Sequence, residues 1–466
     1  MQYATAAALA AALILFVVVG LRARTQGAGL DEYITARNSQ TATTLGLSFL
    51  ASGMGAWILF VPPEIGAFVG PVALAGYALG AALPFVVLVW FGPAIRRHMP
   101  QGRSLSEYAQ ARFGSGMRHW LSGMSVLYML CFITAELTAI GAITVMLSDL
   151  PGHWVIVGLA VATLIYTAWG GLRASLATDR WQAWLLVALL VLVGVAALQH
   201  LPAGPLPQAL PSAPPAVGLS VALTLIIAVT AANLFHQGYW QRIWAAESDQ
   251  ALQRGAWWGG VATVVVVAAV GSMGMLAVMA GKDLGTPPAP FFALVQGAGA
   301  WVALPVLLLA LALVASSVDT LQSGLASLMS TYSPERSKHS LSAARWITVL
   351  LMVPVVLVAL QGISVLRLFL IADLLCATAV VPVILGLWKR MSATAAIAGS
   401  LAGLLGAVLP GWVSTGSLAQ GILAASFPDS IPTLAPFAGA LLASTVVSVG
   451  FALVTRAVAK SDAPKG

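Results

Sequence analysis

The stretch LALVASSVDTLQ (311–322) places Ser316, Ser317 and Asp319 inside an aliphatic run long enough to cross a bilayer. An ionisable side chain at such depth costs about 2.5–3.5 kcal/mol on insertion scales. A polar cluster kept at that cost points to function. The chain around it has 466 residues, 59% hydrophobic and 8% charged, with 45 Gly and 25 Pro. Soluble domains carry about 25% charged residues, so the composition indicates an all-α polytopic membrane protein. The net charge of +7 does not indicate nucleic acid, because Lys and Arg lie scattered between apolar spans. Cys131 and Cys376 both fall in apolar segments and imply neither a disulfide framework nor a metal cluster. No HExxH or CxxC occurs, and Gly281-Lys282 is followed by Asp283 without P-loop spacing, so nothing supports nucleotide binding.

Apolar runs of spanning length, about 20 residues, can be placed thirteen times. They cover 3–20, 42–69, 71–93, 119–147, 153–172, 181–199, 217–240, 256–280, 301–331, 342–360, 364–388, 392–410 and 433–455. The first run has no Lys or Arg ahead of it and Arg22 and Arg24 behind it, the order of a retained span with its N-terminus outside. Starting outside, every one of the 22 basic residues except Lys282 and Arg367 falls on the inner side. That asymmetry fits the positive-inside rule and puts the C-terminus in the cytoplasm of a cell with this protein in its cytoplasmic membrane. The loops leave no room for a soluble catalytic or ATPase domain. HLPAGPLPQALPSAPPA (200–216) reads as a Pro-rich connector on the outer side. RSLSEYAQARFG (103–114) reads as a short amphipathic interfacial helix or a solvated connector.

Two spans carry the signs of a broken helix. Span 2 reads SFLASGMGAWILFVPPEIG, with Gly53 and Gly55 at mid-membrane, and span 7 reads AVTAANLFHQGYWQR, with Asn233, His236, Gln237 and Gly238 together. Glycine in a membrane helix is also a packing device. Two interruptions five spans apart instead suggest an inverted repeat, since a unit of five spans repeated directly must invert. Depth connects the break to the opening stretch. At about 1.5 Å per residue, Ala51 lies roughly 15 Å from the inner end of span 2 and Ser316 roughly 22 Å from the outer end of span 9. In a core of about 30 Å both fall in the inner half. A broken helix frees carbonyl oxygens, serines add hydroxyl oxygens, and a hard cation such as Na⁺ takes such ligands. Serines in membrane helices also bond back to the i−4 carbonyl.

LDEYITARN (30–38), GGLRASLATDRWQ (170–182), YWQRIWAAES (239–248) and ASSVDTLQ (315–322) together resemble, in order, the motifs of the solute:sodium symporter family, nearest its proline and urea/polyamine branches. The resemblance implies a leucine-transporter-like fold of 5+5 inverted repeats. Residues 1–40 would form the first helix and loop, 41–200 and 217–390 the two repeats, and 391–466 two C-terminal helices. It further implies symport of a small polar organic solute by alternating access, with Na⁺ as coupling ion and no other cofactor. The family's sodium site would fall on the carbonyls of Ala51, Met54 and Leu313 and the hydroxyls of Ser316 and Ser317. Asp179 and Asp319 would fall on ion-coupling positions. Asp179 reads alternatively as a solvated carboxylate beside Arg180, and Asp319 as the partner of a cytoplasmic Arg.

The chain also departs from the family. It has Gly53 where proline carriers have an aspartate, and Trp57 and Ile58 where sugar carriers have a carboxylate and an amide, so sugar transport is not expected. GYWQR (238–242) is closer to the urea and polyamine branch, while around Trp57 the proline branch is the better match. The solute is expected between the breaks, against Trp57, Asn233, His236 and Gln237; the alternative reading is that Trp57 packs against the scaffold and the span 7 amides only satisfy backbone groups. Trp57 offers an apolar face and one N–H donor, and the span 7 side chains offer donors and acceptors. Glu136 in span 4 is a further solute or proton-coupling residue, because an unpaired carboxylate there is costly. Asp373 in span 11 reads as structural through a pair with Arg367, and Glu64 as a vestibule or gate residue. Gly399 to Gly403 reads as a small-residue packing face. Two other readings remain open: a proton-coupled transporter of urea or a similar solute, and a membrane sensor without transport. An enzyme is not expected, since no nucleophile–base or metal constellation appears.

Overall fold

The computed structural model describes residues 2–22, 35–52, 55–200, 205–285, 288–330 and 338–461, without side chains at 51–52, 169–183, 338–345 and 455–461 and at a few single positions. Seventeen helices follow one another among the described residues. They are α1 (Gln2–Arg22), α2 (Ala42–Ser52), α3 (Ala56–Phe68), α4 (Pro71–His98), α5 (Leu105–Phe113), α6 (Ser115–Leu147) and α7 (Gly152–His200). Then come α8 (Pro215–Phe235), α9 (Gln237–Ala245), α10 (Asp249–Met279), α11 (Pro290–Ala293), α12 (Ala300–Ser330) and α13 (Lys338–Ala359). The last four are α14 (Val365–Leu385), α15 (Ala393–Thr415), α16 (Leu418–Ala424) and α17 (Leu434–Ser461). Only helices are long here because a bilayer offers backbone N–H and C=O groups no partner, so each segment must satisfy its own.

By length and composition, 9 of the described helices can cross a membrane. The other four expected spans fall on shorter apolar pieces: the α2–α3 pair, Gly152–Ala168 and Trp184–Gln199 within α7, and Trp346–Ala359 of α13. Exposed apolar side chains such as Val265 (63%), Leu405 (69%) and Val446 (69%) require a lipid solvent, since soluble monomers do not leave such surfaces bare. Trp154 and Trp301 are exposed within the first turn of α7 and α12, where interfacial tryptophans sit.

Span 2 is interrupted at Gly55 and span 7 at His236, both within the stretches marked by sequence. The predicted spans 5 and 6 differ from expectation, since helical geometry continues over Gly152–His200. No proline interrupts GGLRASLATDRWQ, and its Leu, Arg and Ala favour helix. A straight helix of 49 residues would extend about 74 Å, yet both ends meet the same face of the bundle. Gly152 lies against Gly141 near the end of α6, Gly194 lies against Met273, and the Gln208 N–H donates to Met279 O at the end of α10. The limbs Gly152–Ala168 and Trp184–Gln199 therefore run in opposite directions.

Arg37, Arg96 and Arg112 lie among the described residues at the opposite ends of these helices. Arg37 donates to Gly102 O, Arg96 pairs with Asp249 at 3.4 Å, and Arg112 donates to Trp388 O and Met391 O. At this end the chains entering α2 and leaving α9 form a parallel bridge between Gln40 and Ala246, with Asn38 N–H donating to Trp244 O. The stretch 103–114 contains a short helix, α5, N-capped by Ser104 Oγ, which accepts from Glu107 N–H at 3.1 Å. Close helix crossings use small residues as expected in membranes. Gly76 and Gly80 of α4 meet Ala222 and Leu225 of α8, Gly399 meets Ser448 of α17, and Gly403 meets Thr378 of α14.

Candidate functional site

Gly55 precedes α3 in extended geometry (φ −82°, ψ −159°) and has no side chain to cap it. The cap arrives from another helix. Glu136 of α6 accepts from Ala56 N–H through Oε2 at 2.6 Å, and through Oε1 it accepts from Ser317 Oγ of α12 at 3.0 Å. A carboxylate at a helix N-terminus satisfies an orphan donor and complements the helix dipole. Glu136, Ser316 and Ser317 are all buried. A methyl group built on Gly55 would overlap Glu136 Oε1 and Ser317 Oγ, so the junction of three helices exists because residue 55 has no Cβ. One turn before Ser317, Leu313 is buried on the same helix. Ala51 lies in the last turn of α2 with its side chain outside the described residues, and Met54 lies outside them altogether. What meets here is a hydroxyl and a carboxyl at a helix N-terminus; no group of three or more His, Cys, Asp or Glu that could hold a metal ion occurs among the described residues.

One turn further along α12, Tyr166 Oη of α7 donates to Asp319 Oδ2 at 2.7 Å. Thr167 Oγ1 donates to Gln322 Oε1, and Gln322 Nε2 donates to Thr163 Oγ1, both at 3.1 Å. Asp319 thus belongs to a buried polar network between α12 and the first limb of α7. Asp179, on the same helix α7, has its side chain outside the described residues.

At the second break, the carbonyl freed at Leu234 accepts from Trp240 Nε1 at 2.8 Å. Arg242, which sequence places among the cytoplasmic charges, is fully buried instead. Its Nε donates to Ser48 Oγ at 2.8 Å and its Nη1 to Gly238 O at 2.7 Å, tying α9 to α2. Arginine suits this place because its fork of donors reaches two acceptors at once. The residues expected to hold solute separate into two groups. Gln237 accepts from Leu105 N–H and donates to Arg103 O, anchoring α5. Asn233 donates to Val229 O and lines a small apolar pocket with Tyr108, Tyr239 and Trp240. Outside the spans, burial pushes the Tyr108 phenol up to about 12. In the same helix burial raises the Glu107 carboxyl, and Arg103, 4.0 Å away, opposes that.

His236 and Trp57 lie instead in a ring cluster. His236 meets Tyr128 and Phe132 edge-on at 6.3 Å and Tyr239 at 5.1 Å, while Trp57 stacks on Tyr77 at 5.7 Å. His236 Nδ1 and Tyr128 Oη are buried without a hydrogen-bond partner among the described residues. The expected pair between Asp373 and Arg367 is not formed: Arg367 Nε donates to Ser426 O at 3.0 Å. Tyr77, Tyr128 and Tyr239 escaped sequence reading because a lone tyrosine in an apolar helix has no periodic signal. Ser48 lacked one too, whereas Gly55 was marked by the break of span 2 and Arg242 stands in the YWQRIWAAES motif.

A family model described as the sodium:solute symporter family matches residues 33–403. A spermidine transporter of Candida albicans is 30% identical over 402 residues, 84% of this chain and 77% of that protein. Sodium/myo-inositol cotransporter 2 of Mus musculus is 30% identical over 202 residues, 42% of this chain and 29% of that protein. Among solved structures, a substrate-bound, outward-open Na⁺-coupled sialic acid symporter aligns with a TM-score of 0.74 at 16% identity, covering 96% of this chain and 97% of that one. Mhp1, a nucleobase-cation-symport-1 family transporter in a closed conformation, aligns at 0.57 and 14% identity, covering 92% and 96%. At these identities the structural likeness speaks to the fold.

Proposed function

Given that this chain belongs to the sodium:solute symporter family and is a transporter rather than an enzyme, we propose that it couples uptake of a small polar organic solute to the sodium gradient. The observation that carries this reading is the junction of Gly55, Glu136 and Ser317, where the broken helix meets the serine pair of α12. Sodium binds there through the Ser316 and Ser317 hydroxyls and the carbonyls of Leu313, Ala51 and Met54. Because Ser317 donates to Glu136, its oxygen lone pairs stay available to the cation. Glu136 in turn holds Ala56, one residue before Trp57, so ion occupancy is transmitted to the start of α3. The halves 41–200 and 217–390 move against one another around this point. The end that carries Arg37, Arg96 and Arg112 lies in the cytoplasm.

Ser316→Ala or Ser317→Ala removes one cation ligand. Each is expected to raise the sodium concentration for half-maximal uptake about tenfold, equivalent to about 1.4 kcal/mol, and to move the solute requirement less. Unchanged sodium activation in both variants would remove the assigned site. The orientation has its own check: a cysteine at Ser212 should react with an impermeant thiol reagent only from outside, and one at Ser337 only from the cytoplasm.

In proteoliposomes, an inward sodium gradient should drive solute accumulation that a potassium gradient does not. Equal accumulation without sodium overturns the reading. Glu136, a fully buried carboxyl inside the junction, supports a second reading in which a proton is the coupling ion. Accumulation driven by a pH gradient with sodium absent would favour it. The matched relatives are named for a polycation and a neutral polyol, so they leave the solute's charge open.

A further inference from the structure

We infer that Asp373 and the rings around it form a subsite for a protonated amine on the solute; this rests on the symporter reading above and names the class of molecule carried. Asp373 is 8% exposed within α14 and has no hydrogen bond or ion pair among the described residues. The nearest basic residue in sequence, Arg367, is turned to Ser426. A carboxylate left uncompensated inside a membrane is costly, and a cationic ligand removes that cost on binding.

The surroundings favour an organic cation over a metal ion. Phe369 stands one turn before Asp373 on the same face of α14 and packs edge-on to Phe132 at 4.6 Å. Phe132 in turn meets Tyr128 at 5.4 Å and His236 at 6.3 Å, so one ring cluster runs from the face of α14 that carries Asp373 to the break of span 7. The faces of such rings attract cations, and ring carbons do not ligate sodium. The unpartnered Tyr128 Oη and His236 Nδ1 supply two polar contacts, too few for a neutral polyol with many hydroxyls. A primary ammonium on a flexible alkyl chain fits: the charge goes to Asp373 and the methylenes to the rings.

The test uses purified full-length protein, with melting temperature read against putrescine, n-butylamine and butanediol, with and without sodium. A ligand of the folded state raises the melting temperature by mass action. Putrescine and n-butylamine should raise it, and butanediol, of similar shape but uncharged, should not. Asp373→Asn should weaken putrescine binding on the order of a hundredfold, as for truncating a buried charge pair, while keeping any sodium-induced shift. Asp373→Glu should restore part of the binding. The inference is overturned if putrescine gives no shift, if butanediol stabilises equally, or if Asp373→Asn binds putrescine as the wild type does. Should Asp373→Asn not fold, the wild-type comparison of putrescine with butanediol decides alone. If putrescine binds and sodium has no effect on either protein, the sodium reading fails and the amine subsite stands.

Discussion

Gly55→Ala is expected to abolish solute uptake. The added methyl would occupy the positions of Glu136 Oε1 and Ser317 Oγ, atoms on two different helices that meet at the break. Neither side chain has solvent to swing into, since both are buried. The helices must separate or Glu136 must release Ala56 N–H, leaving a buried donor unsatisfied at a cost of about 1–3 kcal/mol. Either response disorders the sodium ligands and the start of α3 together. Gly123→Ala is the control, because a Cβ there meets nothing within 4 Å. Uptake in proteoliposomes should fall by at least about a hundredfold, close to 2.7 kcal/mol, for the first variant and stay near wild type for the second. Wild-type uptake by Gly55→Ala would mean that the junction plays no part in transport.

The second large effect concerns Arg242. Arg242→Ala removes the donors to Ser48 Oγ and Gly238 O and leaves a buried void between α2 and α9. Losing two hydrogen bonds from a charged donor, at about 1.5–3 kcal/mol each, should cost about 3–6 kcal/mol in stability. Arg242→Lys should fall between, since an ammonium is a point charge without the planar fork. Melting temperature in detergent checks the order: wild type highest, lysine next, alanine lowest. An alanine variant as stable as wild type would show that this tie does not hold the two broken helices together.

Span positions were legible because a bilayer imposes a single length and polarity rule on every crossing segment. The two breaks were legible too, since glycines in span 2 and an Asn, His, Gln and Gly cluster in span 7 interrupt apolar runs. The depth estimate put span 2 and Ser316 at one level, and the structure sets Gly55 against the neighbouring Ser317. What sequence hides is which atoms meet across helices. Glu136 was readable as a costly carboxylate, but its place at the N-terminus of α3 follows from the tertiary approach of α6. Arg242 was counted with the loop charges because hydropathy treats a span-end arginine as solvated, and only the packing of α9 on α2 buries it. Asp373 and Arg367 are six positions apart and so not on one helix face, and Ser426, far along the chain, takes the arginine instead. The direction reversal within α7 has no proline to announce it.

Direct sodium binding tests the central claim most closely. Radioactive sodium should bind the purified protein saturably, without solute, and compete with unlabelled sodium but not potassium. In the double variant Ser316→Ala, Ser317→Ala, with helicity unchanged by circular dichroism, that binding should be lost over the same concentration range. Saturable binding that persists undiminished in the folded double variant would contradict the placement of the sodium site at the junction of α3, α6 and α12.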